Sequence, residues 1–399
     1  MVPPSPGGLS LRNPSLTLFL LSLISTASIM MTFPLLSIYL NESFQVSVTE
    51  VGTIIALTFV SSFLSRFGVG FLVTGRRILP AMIIGQLVLV VSQVGLAVAA
   101  DLVTAILMVV ALGFASAISW TIQMAAVTTL NAESSVMVRM RTYTLALGGG
   151  FTIGPAVGAI VVGALGVRWV FGVAAILALV ALPVALAMRR FGVSPGGTVQ
   201  DVRPSFRVGL GLLGRPGVLV PAIAFGNLVA VYSLAAAYVP LYAKRVFALG
   251  ESEVFLLFFG LALVTLLCRL PLSRSFSVAA LRFLFILSLG SASLALLLIG
   301  LGRGLWVFTL GVVLLGVEQG VVLHLGAVVV SASTSLRERV LGNAIYQAGQ
   351  DVGGFAAPLV ASVLIPALGI PNTLAVFALL PFGVVALTLA SKVFSQPSG

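Results

Sequence analysis

The chain has 399 residues, of which 59% are hydrophobic and only 8% charged, with a net charge of +11. A water-soluble domain carries roughly 25% charged residues, so most of this surface must meet lipid. The single cysteine, Cys268, excludes an internal disulfide, and one histidine without a Cys-x-x-Cys pair leaves no metal-ligand or cofactor pattern.

Apolar runs of about 20 residues cross a bilayer as helices. Divided at its polar breaks, the sequence predicts twelve. They lie at 15–40, 49–73, 78–100, 102–129, 142–165, 167–188, 217–243, 253–272, 278–300, 304–333, 340–367 and 370–393. The first run is too long for a signal-peptide core and ends without a small-residue cleavage site, so it reads as a retained helix. Residues 189–216 hold glycines, prolines and five arginines and read as a linker. The predicted organisation is a six-helix bundle over 1–188, a cytoplasmic linker over 189–216 and a second six-helix bundle over 217–399.

Alternating the spans sorts the cations. Arg168, Lys244, Arg245 and Arg303 fall on one side, and the other seventeen Lys and Arg residues on the opposite side or in the linker. Cytoplasmic loops carry the excess of Lys and Arg, so both termini are expected in the cytoplasm and the chain in the cell membrane. The basic excess is a topology signal, and a nucleic-acid partner is not expected. The chain is expected to work as a monomer in the bilayer.

The two halves repeat at an offset of 203 residues. Glu50-Val51 matches Glu253-Val254, Arg66 matches Arg269, Leu112-Gly113 matches Leu315-Gly316, Gly150 matches Gly353, Pro155 matches Pro358, and Gly166 matches Gly369. Chance does not readily align rare charges and a proline without a gap. Parallel repeats about an axis along the membrane normal occur in one large transporter fold.

Three stretches carry a family resemblance. Residues 66–77, RFGVGFLVTGRR, fit a loop pattern at Gly70 and at Gly75-Arg76-Arg77, with Thr74 near the place of an expected acid. In helix five, GGGFTIGPAVGA (148–159) supplies Gly150, Gly154, Pro155 and Gly158. GVRWVFGVAAI (166–176) opens helix six. The chain resembles the major facilitator superfamily, and the helix-five run is similar to that of its drug:proton antiporter branch. An arginine followed by Gln-Gly, expected in helix four of that branch, is absent. The resemblance implies an all-α membrane fold of two pseudo-symmetric bundles, with helices one, four, seven and ten lining a central cavity.

Gly150, Gly154 and Gly158 recur every four residues, so one face of helix five is flat and can approach a neighbouring backbone closely. Pro155 removes a backbone hydrogen bond and bends the helix. Ordinary tight packing and a sliding contact between the halves both account for this face.

No GxSxG, Walker or HExxH pattern occurs, so enzymatic catalysis is not expected. Polar groups stranded in apolar helices are costly and usually functional. Of ten acids, only Glu318 in helix ten and Asp351 in helix eleven lie at mid-bilayer. A carboxylate there is disfavoured when charged, so it could take a proton on one side and release it on the other. Glu318, between Gly316 and Gly320, is the first choice for proton coupling. Asp351 could instead be a structural acid held by Gln347. By the implied arrangement Gln123, Asn227, Gln319 and His324 face the cavity, with Gln347 on a polar face of helix eleven. His324 stands about 120° from Glu318 around the helix. Arg66 and Arg269 suit either snorkelling to the interface or a gate contact. The cavity lining suits lipophilic or weakly cationic molecules. The leading expectation is a secondary transporter of a small organic solute working by proton-coupled efflux. Uptake by symport or uniport, and a non-transporting receptor, are the alternatives.

Overall fold

The structure, a computed structural model, describes residues 13–72, 77–129, 136–191, 206–273, 277–335, 338–391 and 393. The described residues are helical, with no strand. The helices are α1 (Pro14–Phe44), α2 (Val48–Leu72), α3 (Ile78–Val98), α4 (Leu102–Thr129), α5 (Val136–Leu165) and α6 (Val167–Ala187). There follow α7 (Phe206–Leu213), α8 (Pro216–Phe247), α9 (Glu251–Arg269), α10 (Val278–Leu301), α11 (Leu305–Ala332), α12 (Arg339–Phe377) and α13 (Leu379–Ala390).

The eleventh predicted span and the first turns of the twelfth run together as α12, but Gly369 breaks it with φ 74°. Its repeat mate Gly166, with φ 90°, separates α5 from α6. Only glycine visits this region at little cost. The duplication is written elsewhere in the backbone too. Gln45 and Ala248, 203 residues apart, are the two positive-φ residues other than glycine among the described residues, and they end α1 and α8. One close backbone approach repeats as well. Gly113 sits against the carbonyl of Thr58, and Gly316 against that of Leu261.

Helix five starts at Val136 and not at 142, which puts Arg139 inside it, buried, its Nε donating to the Val127 carbonyl at 2.8 Å. The linker region contains the short α7 (Phe206–Leu213).

Acids outside the bilayer interior start helices. Ser47 and Glu50 form a reciprocal cap, Ser47 N–H donating to the carboxylate at 2.9 Å and Glu50 N–H to the Ser47 hydroxyl at 3.3 Å. Asp101 accepts from Thr104 N–H at 2.8 Å. Trp169 and Trp306, at the starts of α6 and α11, point outward, as tryptophans do at a membrane interface.

Alternation of the spans gives two faces. The terminal face carries the first residues of α1; the far face carries the α1–α2 and α8–α9 connections. Toward the far face one apolar core joins both halves through α1, α2, α5, α8, α9 and α12. Toward the terminal face the core divides. One cluster, including Leu21, Ile122 and Tyr143, belongs to the first half; the other, including Phe225, Leu325 and Tyr346, belongs to the second. The halves meet along two seams, α2 against α12 and α5 against α9, with α1 against α8 between them.

Candidate functional site: two arginine seams and a central carboxyl

The α2–α12 seam holds a buried ion pair. Arg66 and Asp351 are 3.1 Å apart, their side chains 12% and 1% exposed. Ser62 donates to the same carboxylate at 3.2 Å, and Arg66 Nη1 donates to Thr121 at 3.2 Å. Arg66 therefore does not snorkel. Asp351 is held by Arg66 and Ser62 and not, as the sequence suggested, by Gln347, whose amide points to the sulfur of Met124 at 3.8 Å.

The α5–α9 seam is the repeat image of the first, with one change. Adding 203 turns Ser62, Arg66 and Thr121 into Thr265, Arg269 and His324, while Asp351 maps back to Gly148. Gly148 does face Arg269: a Cβ built there would lie 3.6 Å from Arg269 Nη1. Among the described residues Arg269 keeps one bond, from Nη2 to the Gln319 carbonyl at 3.4 Å, and its Nε and Nη1 are buried without an acceptor. Orphaning a buried polar group costs about 1–3 kcal/mol, more when it is charged.

Glu318 and Asn227, both expected at the cavity, touch. The Asn227 amide donates to Glu318 Oε1 at 2.6 Å, and both are buried. Among the described residues Glu318 has no ion-pair partner. It borders a cavity of about 10 Å³, room for one water, with Leu228, Val231, Tyr232, Leu261, Leu315 and Gln319. The Gln319 amide oxygen accepts from Thr265 at 3.0 Å. Gln123 is fully buried with neither end of its amide bonded. His324 lies in electrostatic reach of Arg269.

The glycine face of helix five divides. Gly150 and Gly154 press on α1, against Thr26 and Met30, within the first half. Gly158 presses on Phe255 of α9 across the halves. Steps of four residues turn 40° past a full circle, so the run drifts from one neighbour to the next. Of the loop motif, Gly70 lies in the last turn of α2 and Arg77 is exposed before α3; Gly75 and Arg76 lie outside the described residues.

Sequence reasoning missed an aromatic chain through the middle. Trp120 stacks on Phe151, Phe151 meets Tyr232 edge-on, and Tyr232 meets Phe33, each at 6.4 Å. It joins α4, α5, α8 and α1. Also missed was a far-face latch: Lys244 of α8 bridges Glu42 of α1 at 2.6 Å and Glu251 of α9 at 2.5 Å.

Helices of this number, length and arrangement, with polar groups buried between two repeated halves, define a membrane transporter and not an enzyme. The family model of the Major Facilitator Superfamily matches residues 18–277, and the chain belongs to that superfamily. A search of curated proteins by sequence returns no match. Among solved structures, the fold is similar to the human organic anion transporter MFSD10 (TETRAN), with TM-score 0.69 and 17% identity over 95% of this chain and 99% of that one. A bacterial homologue of the human lysosomal transporter Spinster, in an inward-facing and unoccupied conformation, gives 0.73 and 14% over 96% and 97%. A POT family transporter in complex with 5-aminolevulinic acid gives 0.72 and 16% over 95% of both chains.

Proposed function

We propose that the chain is a proton-coupled secondary transporter that exports a small organic solute from the cytoplasm by alternating access. Residues 1–188 and 217–399 act as the two rocking bundles and 189–216 as their cytoplasmic linker, in the plasma membrane as a monomer. The observation that carries the coupling is Glu318. It is buried beside a water-sized cavity with one neutral donor, Asn227, and no cation to hold its charge. Such a carboxyl can exchange a proton with whichever side reaches it. Asp351 serves differently: its charge is answered by Arg66, and that pair closes or opens with the α2–α12 seam. The apolar core joined at the far face and divided at the terminal face supports a state whose cavity addresses the terminal side, with the Lys244 latch sealing the other. Export is supported by the glycine run of helix five and its antiporter likeness.

The test is flux in proteoliposomes, with solutes chosen by a thermal-stabilisation screen of the purified protein, since only native-state ligands raise stability. Uphill solute movement driven by an imposed pH gradient, with proton counter-movement, is the expected result. Flux that merely runs down the solute gradient would sink the coupling.

A further inference from the structure

The two seams differ in charge although they descend from one repeat. In the α2–α12 seam the guanidinium of Arg66 has the carboxylate of Asp351. In the α5–α9 seam Arg269 has Gly148 in that place, and Nε and Nη1 carry N–H groups that nothing among the described residues accepts. The other groups around Arg269 do not neutralise it. Nη2 is spent on the Gln319 carbonyl, and His324 and Tyr346 are its other titratable neighbours. The Tyr346 hydroxyl is committed to the carbonyls of Val322 and Leu323. Among the described residues Arg269 has no acidic partner. A buried cation without a counter-charge is costly unless a ligand supplies one.

From this we infer that Arg269 is the anion-docking residue of the transport cavity, and that the substrate class is an apolar organic monocarboxylate whose carboxylate takes the place that Asp351 fills in the other seam. Gly148, lacking a side chain, puts no carboxylate in that place, and the nearest atom to a Cβ there is the mobile end of the Leu266 side chain, at 3.1 Å, which a docked carboxylate would displace. Phe151 lies one helical turn from Gly148, on the same side of α5, and is joined to Trp120 and Tyr232. These rings offer the apolar body of such a molecule a surface within a turn of its charged end. An oxyanion meets a guanidinium through short, charge-assisted hydrogen bonds, whereas an uncharged amide of the same shape brings no charge to Arg269. The inference rests on the reading of the chain as a solute transporter. Of the lipophilic or weakly cationic molecules that the sequence suggested, it keeps the apolar body and replaces the cationic charge with an anionic one.

The experiment is equilibrium binding in the absence of any gradient. The purified full chain is melted with increasing benzoate or with its neutral isostere benzamide. Benzoate is expected to raise the melting temperature and benzamide to leave it unchanged. In Arg269→Gln the apparent benzoate affinity falls roughly 10- to 100-fold, as for loss of a charged hydrogen bond. Gly148→Asp restores the missing internal carboxylate, so it removes the benzoate response while raising the melting temperature of the ligand-free protein. That variant decides the matter if Arg269→Gln does not fold, because its new Cβ meets the flexible end of Leu266, at 3.1 Å, and Arg269 Nη1 at an ordinary contact distance of 3.6 Å. An equal response to benzoate and benzamide, no response to either, or a benzoate response that survives Gly148→Asp overturns the inference. Failure of pH-driven flux would instead sink the proton coupling and leave this result standing.

Discussion

Arg66 of α2 reaches Asp351 of α12 at 3.1 Å across the two halves of the chain. Two charges separated by 285 residues in sequence are thus buried against each other at a contact that the proposed alternating access would break. Removing one member of a buried pair leaves the other uncompensated, at a cost of roughly 3–5 kcal/mol. Asp351→Asn is therefore expected to lower the melting temperature clearly. The double variant Arg66→Met, Asp351→Leu should recover much of the loss, since apolar replacement of a whole pair is often neutral or stabilising. A double variant as unstable as the sum of the two singles would show that the residues do not act as a pair.

The glycines of helix five separate by neighbour. A Cβ at Gly154 would come within 2.8 Å of the Ala27 carbonyl in α1, where backbone cannot yield. Gly154→Ala is expected to destabilise the first half by roughly 1–3 kcal/mol, as overpacking does. Gly158→Ala pushes on the ring of Phe255 across the halves, so its flux should fall more than its melting temperature. Comparing melting and flux for the two variants tests this. A matched loss of both in each would remove the distinction.

At the far face, Lys244 neutralises Glu42 and Glu251 together. Lys244→Met leaves two carboxylates facing each other and should loosen the α1–α8 contact. A reporter cysteine replacing Asn41, in a Cys268→Ala background, should then react several-fold faster with a membrane-impermeant maleimide. Unchanged labelling would mean that the latch does not hold that face shut.

Outside the bilayer, Arg215 at the start of α8 donates to Glu338 before α12 at 2.8 Å. Together with Ser335 it lowers the Glu338 carboxyl to about 2. A depressed carboxyl contributes stability above its unfolded value, about 4.3, and loses it as pH falls through about 2. The pair is exposed, so the contribution is small. The melting-temperature difference between wild type and Glu338→Gln should be constant above pH 5 and shrink from there toward pH 2. A difference that grows on acidification would reverse the sign and contradict the assignment.

The twelve spans were legible because lipid imposes a single rule: backbone groups must be satisfied within each helix, so apolar run length is enough. Glu318 and Asn227 were legible as candidates, since buried polar side chains stand out against apolar helices. Their contact was not, because span order alone does not fix which faces meet. The Arg66–Asp351 pair was hidden for the same reason, its members lying in opposite halves. The repeat offset did align Arg66 with Arg269 and Asp351 with Gly148. Only the α5–α9 packing gave that substitution meaning, by placing Gly148 against the guanidinium. The aromatic chain was invisible because Trp120, Phe151, Tyr232 and Phe33 look like any apolar residues in a lipid-bound helix.

Coupling through Glu318 is the centre of the account, and its most direct test separates gradient-driven flux from exchange. In proteoliposomes Glu318→Gln, which keeps the Asn227 contact but cannot carry a proton, should abolish uphill flux on a pH gradient. Solute-for-solute counterflow and solute binding should persist. Full gradient-driven flux in the double variant Glu318→Gln, Asp351→Asn would contradict proton coupling through these carboxyls.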